Sequence, residues 1–291
     1  MEKFSRISLI NDLKKLGLEN GDTVLIRADL GSIGRTEEKL KNTIIDIFLE
    51  VLGEEGTLVS LSFTKQFPIF KIDKSYIFTK EIASTSGSLP NLMIQHEKSF
   101  RSEHPTNSVV AIGKNAEYIT EKTEPFLCYD PIQKIINLNG KMLIIGTNKS
   151  TPGFTTVHVA QQNLKLTFKT ILKNLVGVNY KENDKIKLFK RQDIGGCSMG
   201  FYKFYSHYAK NEILFAGKVG NAYSLLAKAK DTYEIEYKLL KSNPRYALCD
   251  NNKCLLCNGI LLYNKRKMPL FYFLFFIDKV KQLLGFKKNK K

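Results

Sequence analysis

The chain has 291 residues, 43% of them hydrophobic and 25% charged, which excludes a wholly disordered chain and a multi-span membrane protein and leaves room for a substantial core. Its 45 Lys plus Arg against 28 Asp plus Glu give a formal net charge of +17, a surface that attracts anions such as nucleic acid, acidic lipid or phosphate-bearing small molecules. Five Cys and an opening stretch without an uninterrupted apolar run argue against a disulfide framework and predict a cytoplasmic protein.

In chain order, Ile7, Leu9, Ile10, Leu13 and Leu16 recur at helical spacing and predict an amphipathic helix closed by Gly17. The apolar run from Thr23 to Ala28 predicts a buried strand feeding a loop at Asp29 to Arg35. The stretch Thr36 to Leu52 is helical in period and ends at Gly53, and TLVSLSF after Gly56 predicts a second strand. Strand, helix, strand is a parallel α/β unit. Residues 66–100, with Pro68, Pro90 and the small-residue run STSGS, predict a long site-shaping loop. SVVAIG and KMLIIG are two further buried strands, the first followed by a helix-like stretch around Asn115 to Ile119, and His158 lies early in a helical segment reaching about Asn163. The expected fold is therefore α/β, a mixed or largely parallel central sheet flanked by helices, with a Cys-containing and amphipathic C-terminal extension. The expected organisation is a catalytic body over 1–245 and a tail over 246–291.

The most specific blocks are Thr85 to Pro90, with its Gly-x-Leu-Pro ending, then RSEHPTNSVVAIG from Arg101 to Gly113, then the strand ending at Gly146, then Thr-Thr-x-His from Thr155 to His158. GDTVLIRADLGSIG and EEGTLVSLSFT precede them, and GKVGNA at Gly217 to Ala222 follows. In this order the blocks resemble the aminoglycoside 3-N-acetyltransferase family over about residues 5–230. The resemblance implies an acyl-CoA-dependent N-acyltransferase acting on a sugar amine, with acetyl-CoA as co-substrate and His158 as the base. Histidine suits that task, since a sugar ammonium must lose a proton before its nitrogen can attack a thioester, and imidazole titrates near neutral pH. The resemblance also implies an acidic partner some thirty residues downstream, which Asp193 satisfies. It departs at Gln161, where the family often has Glu, and at Arg27, Ala28 and Asp29, where the family loop usually begins His-Ser-Ser.

His104, in the His-Pro turn, is a second catalytic candidate, and the alternative for it is a bond to loop backbone. For the cofactor, a strand-to-helix loop can offer N–H groups to pyrophosphate, which nominates Asp29, Leu30, Gly31 and Ser32. Arg101, Ser102, Ser108 and Thr155 are further candidate contacts. Cys249, Cys254 and Cys257 fall within nine residues at a C-x-x-C spacing, with Cys197 available as a fourth ligand, so either a structural zinc or plain buried thiols is expected.

The tail, with apolar residues Leu270 to Ile277 between KRK and KKNKK, is too short to span a bilayer. It reads either as peripheral contact with the inner membrane surface or as a helix packed on the body or on a second subunit, and the oligomeric state stays open. A polycationic antibiotic calls for an acidic pocket, so the charge of +17 and Gln161 favour a nucleotide-linked amino sugar destined for a surface glycan. The alternatives are an aminoglycoside acceptor and a basic binding module without catalysis. No nucleic-acid partner is expected, because basic and aromatic residues do not concentrate in one recognition element.

Overall fold

The computed structural model describes residues 3–146, 153–167, 173–192 and 197–251, together with the single positions 254, 256, 257, 269, 273, 276, 277 and 280. Helix α1 (Arg6–Leu16) is opened by the Ser5 hydroxyl accepting the Ser8 N–H and closed by Gly17 at φ 110°, the left-handed conformation that favours glycine. Strand β1 (Thr23–Ala28) runs into a short 3₁₀ turn (Leu30–Ile33), and α2 (Leu40–Leu52) returns the chain to β2 (Thr57–Leu61). Next come β3 (Phe67–Pro68), β4 (Ile77–Phe78), α3 (Ser88–Ile94), β5 (Ser99–Arg101), β6 (Val109–Gly113), α4 (Ala116–Thr120), α5 (Asp130–Asn137) and β7 (Lys141–Ile145). The remainder is α6 (Thr156–Asn163), the hairpin β8 (Val176–Glu182) and β9 (Lys185–Lys190), a 3₁₀ segment (Ser198–Phe204), α7 (Tyr205–Lys210), β10 (Phe215–Val219), β11 (Ala222–Lys228) and α8 (Ala229–Ser242).

The main sheet has the order β10-β11-β7-β1-β2-β6-β5. Its centre, β7-β1-β2, is parallel, and every flanking pair is antiparallel, so the expected mixed α/β sheet is what forms. The parallel strands read as unbroken apolar runs because both faces are covered. Val24 and Ile26 join Leu58, Leu143 and Ile145 under α1, α2 and α3, while Leu25, Val59, Met142 and Ile144 face the layer of α5, α6 and α8. Each such side chain, fully buried, contributes roughly 1.5–3 kcal/mol relative to exposure. The carboxyl ends of β1 and β7 therefore share one edge, where open α/β sheets bind ligands. There Gly146, at φ 66°, leaves room for Ser32, whose Oγ would lie 1.8 Å from an added Cβ.

Residues 66–100 are more structured than the sequence suggested. β3 and β4 pair with β8, which pairs with β9 to form a small second sheet, and α3 covers the main sheet with Leu89 and Met93. The β8–β9 turn places both Asn183 and Asp184 at positive φ, 48° and 60°, the type I′ geometry of a tight hairpin. Residues beyond 245 are not all peripheral: Ala247 is 1% exposed within the core, and Tyr246 packs edge-on against Phe204. The tail from 258 onward lies almost entirely outside the described residues. Among the described residues no helix is long and apolar enough to cross a membrane.

Candidate active site

His158 is the third residue of α6, half-buried at the carboxyl edge of the sheet. α6 is held in place from below. Thr156 Oγ1 donates to Glu236 Oε1 of α8 at 2.8 Å, and the Tyr208 hydroxyl bonds the same oxygen. Burial raises the Glu236 carboxyl to about 8, so it is a neutral acid at pH 7. Thus the second Thr of the Thr-Thr-x-His block is a structural peg. Its neighbour Thr155 is 3% exposed, and its hydroxyl finds no hydrogen-bond partner among the described residues.

The imidazole sits between rings. Tyr129 stacks on it at 4.6 Å and 17°, and Phe201 meets it edge-on at 4.8 Å. Nδ1 lies 3.0 Å from Gln161 Oε1, so an Nδ1–H donating to the amide oxygen leaves the Nε2 lone pair uncommitted among the described residues. Desolvation lowers the His158 pKa to about 4, the Gln161 bond opposes that shift, and the Arg27 and Arg191 guanidiniums add to it. The ring is neutral at physiological pH. Arg27, from β1, donates to Gly153 O at 3.1 Å, and Arg191 donates to Gln66 Oε1 at 3.0 Å; burial lowers the pKa of both.

The partner expected for Nδ1, Asp193, lies outside the described residues; Gln161 occupies that nitrogen. His104, which lines the larger of two cavities, has both nitrogens engaged with loop backbone: Nδ1 accepts the Asn107 N–H at 3.0 Å and Nε2 donates to Pro125 O at 3.2 Å. Three candidate cofactor contacts are likewise spent on the fold. Arg101 is 5% exposed and donates to Ser108 Oγ, Lys80 O, Ile82 O and Ser62 O. Ser108 Oγ donates to Ser62 O at 2.6 Å, and Ser102 Oγ accepts the Val109 N–H. These bonds knit β5 and β6 to the chain after β2 and occupy the groups that a phosphate would need.

The loop after β1 is mixed. Asp29 Oδ1 accepts the Gly31 N–H at 3.1 Å, and Ser32 donates to Asp29 O through both its N–H and its hydroxyl, so those groups are already satisfied. Leu30 and Gly31 nonetheless line a cavity of about 510 Å³ bordered by Lys3, Arg35, Lys39 and Lys41 against Glu37 and Glu38. A second, larger cavity of about 1340 Å³ is lined by the segments around residues 78–81, 103–105, 122–130 and 180–189. Its wall carries Glu81, Glu103, Glu124, Asp130, Glu182 and Asp184 but only Lys80, Lys122 and Lys181. The six acids against three lysines make it net acidic in a chain of +17. Asp130, in that wall, follows Tyr129, the residue stacked on His158. Sequence reasoning missed Arg27, Tyr129, Arg191 and Phe201 as site residues, since they converge from four separate segments. The four candidate zinc ligands do come together, with their sulfurs all within 4.8 Å of one another.

A family model described as aminoglycoside 3-N-acetyltransferase matches residues 25–241. Aminoglycoside N(3)-acetyltransferase III from Salmonella is 26% identical over 174 residues, 54% of this chain and 60% of that protein; the chain thus spans less than two thirds of the length of that curated relative. Among solved structures, a variant of aminoglycoside acetyltransferase AAC(3)-IVa in complex with a gentamicin superposes with a TM-score of 0.78 at 19% identity, over 91% of this chain and 99% of that one. AAC-IIIb, binary with CoASH, gives 0.67 at 20%, over 83% and 97%. At such identities these likenesses establish the fold. The family match and the curated relative correct the expectation of a nucleotide-linked amino sugar destined for a surface glycan. That expectation took the whole-chain charge as a guide to local charge, and the acidic cavity shows that the two differ.

Proposed function

We propose, since the chain belongs to the aminoglycoside 3-N-acetyltransferase family, that it transfers an acetyl group from acetyl-CoA to an amine of an aminoglycoside, with His158 as the base. The observation that carries this reading is an imidazole whose Nδ1 is held by Gln161, whose Nε2 is uncommitted among the described residues, and which stacks on Tyr129, the chain neighbour of Asp130 in the wall of an acid-lined cavity. The carboxylates of that cavity, Glu81 and Glu124 among them, attract and orient a polycationic acceptor. His158 Nε2 takes one proton from the incoming ammonium, freeing the lone pair that attacks the thioester carbonyl. It gives that proton to the departing sulfur as the carbon–sulfur bond breaks, the second proton of the acylated nitrogen leaves to solvent, and the imidazole is neutral again for the next turnover. Acetyl-CoA supplies the activated acyl group. The basic cavity at Leu30 and Gly31 is the reading for its phosphates, supported by Lys3, Arg35, Lys39 and Lys41.

The test is acceptor mass gain with acetyl-CoA across a panel of aminoglycosides. Acetylation of at least one is expected, with KM raised several-fold by the double substitution Glu81→Gln, Glu124→Gln and kcat little changed. A folded protein that acetylates no member of the panel would overturn the reading.

A further inference from the structure

We infer that Cys197, Cys249, Cys254 and Cys257 form a tetrathiolate zinc site that fastens the C-terminal segment to the wall of the histidine. The four come from two distant stretches. Cys197 opens the 3₁₀ segment Ser198–Phe204, and the other three follow α8. All four Sγ atoms lie within 4.8 Å of one another, and Cys257 Sγ is 3.6 Å from Cys249 Sγ. A tetrahedron with zinc–sulfur bonds of about 2.3 Å has sulfur–sulfur edges of about 3.8 Å, so the cluster needs little closure to hold an ion. A disulfide, by contrast, brings sulfurs to about 2.05 Å, and all four thiols are free.

The backbone around the cluster is built to hold it. The Met199 N–H points at Cys197 Sγ at 3.4 Å, a contact that favours the thiolate a metal requires. Gly200 lets the two segments touch, since a Cβ there would meet Leu248 O at 2.4 Å. Lys203 Nζ bonds Leu248 O at 2.8 Å and Asp250 Oδ1 at 2.7 Å, and the Tyr202 hydroxyl bonds the same carboxylate. Cys257 is 5% exposed. With all four ligands from protein, no coordination position is left for water or substrate, which makes the site structural, and four thiolates select zinc among the common divalent ions. Each thiol gives up its proton to solvent on binding. The benefit reaches the active site because Phe201, on the same 3₁₀ segment, packs edge-on against His158.

Metal analysis of the full chain, purified without chelators, should find about one zinc per chain. The stripped protein should then take up cobalt(II) with the thiolate charge-transfer and tetrahedral d–d bands, which added zinc abolishes. Replacing Cys197→Ser or Cys254→Ser should weaken cobalt binding at least about tenfold, while Cys128→Ala, at a buried thiol elsewhere, should leave it intact. Stripping should lower the melting temperature of the wild type and not that of Cys254→Ser. A purified protein free of zinc whose reduced thiols give no cobalt bands overturns the site, whether or not the variants fold. Iron in place of zinc overturns the choice of ion, and unchanged cobalt binding in Cys197→Ser overturns the fourth ligand.

Discussion

Buried His104 and half-buried His158 are both brought by desolvation to a pKa of about 4, yet the two regions use their nitrogens differently. The turn before β6 spends both nitrogens of His104 on backbone, one accepting from Asn107 and one donating to Pro125, while Phe189 closes on its ring at 5.2 Å. α6 spends one nitrogen of His158 on Gln161 and leaves the other unbonded among the described residues. A lowered pKa therefore does not mark the base. On the proposed function an uncommitted lone pair does, which distinguishes the histidine that stitches a loop from the one suited to move a proton.

The sharpest way to break that contrast is to remove each ring in turn. His158→Ala should cost about 10²–10⁴ in turnover with little change in melting temperature or in coenzyme A binding. His104→Ala should do the reverse: turnover within a few-fold of wild type, and a loss of roughly 1–3 kcal/mol of stability from the orphaned Asn107 N–H and Pro125 carbonyl. Steady-state kinetics and denaturant unfolding of both variants decide it. Equal kinetic losses in the two would erase the distinction.

A smaller effect sharpens the role of Gln161. Its amide orients the imidazole without supplying charge, so Gln161→Glu should place a carboxylate at Nδ1 and raise the His158 pKa from about 4 by about 1–3 units. The acid limb of kcat/KM should move up in pH accordingly. The variant then loses activity near pH 5, where its base becomes protonated, and holds or gains at pH 8, where a more basic imidazole accepts the proton more readily. A pH profile superposable on the wild type would mean that the Nδ1 bond does not exist in solution.

What the sequence disclosed follows from how local each signal is. β1, β2, β6 and β7 are apolar runs ended by glycine or polar residues, and they are the strands that form. The β8–β9 hairpin was equally available in principle, through Asn183-Asp184 between alternating residues, but Lys-rich strands of a small exposed sheet carry little hydrophobic contrast. α5 is short, and Ile132, Ile135 and Ile136 reveal a buried face only once Tyr129 is known to lead into it. In the site, His158 was legible because its motif is contiguous. Arg27, Tyr129, Arg191 and Phe201 were not, since only the fold makes them neighbours. Local charge was hidden for a related reason: net charge sums a surface, and the acids at 81, 103, 124, 130, 182 and 184 are gathered by folding.

The smallest expected effect concerns the peg beneath α6, where the neutral acid Glu236 contrasts with the neutral base above it. Its folded pKa of about 8 exceeds the ordinary carboxyl value of 4.5. Between those values the folded chain keeps a proton that the unfolded chain has released, so this group's contribution to stability declines as pH rises from about 4.5 to 8. Glu236→Gln keeps an oxygen for Thr156 and Tyr208 and has no proton to lose. Its added N–H groups, buried where Oε2 now lacks a partner among the described residues, should make it slightly less stable than the wild type at pH 5. The difference should then shift in the variant's favour by on the order of a few kcal/mol by pH 8–9. Because every other titrating group is common to both proteins, denaturant unfolding of the pair across this range isolates the one carboxyl. A difference that stays constant with pH would show Glu236 ionised in the folded protein, and with it Thr156 holding α6 by a charged rather than a neutral bond.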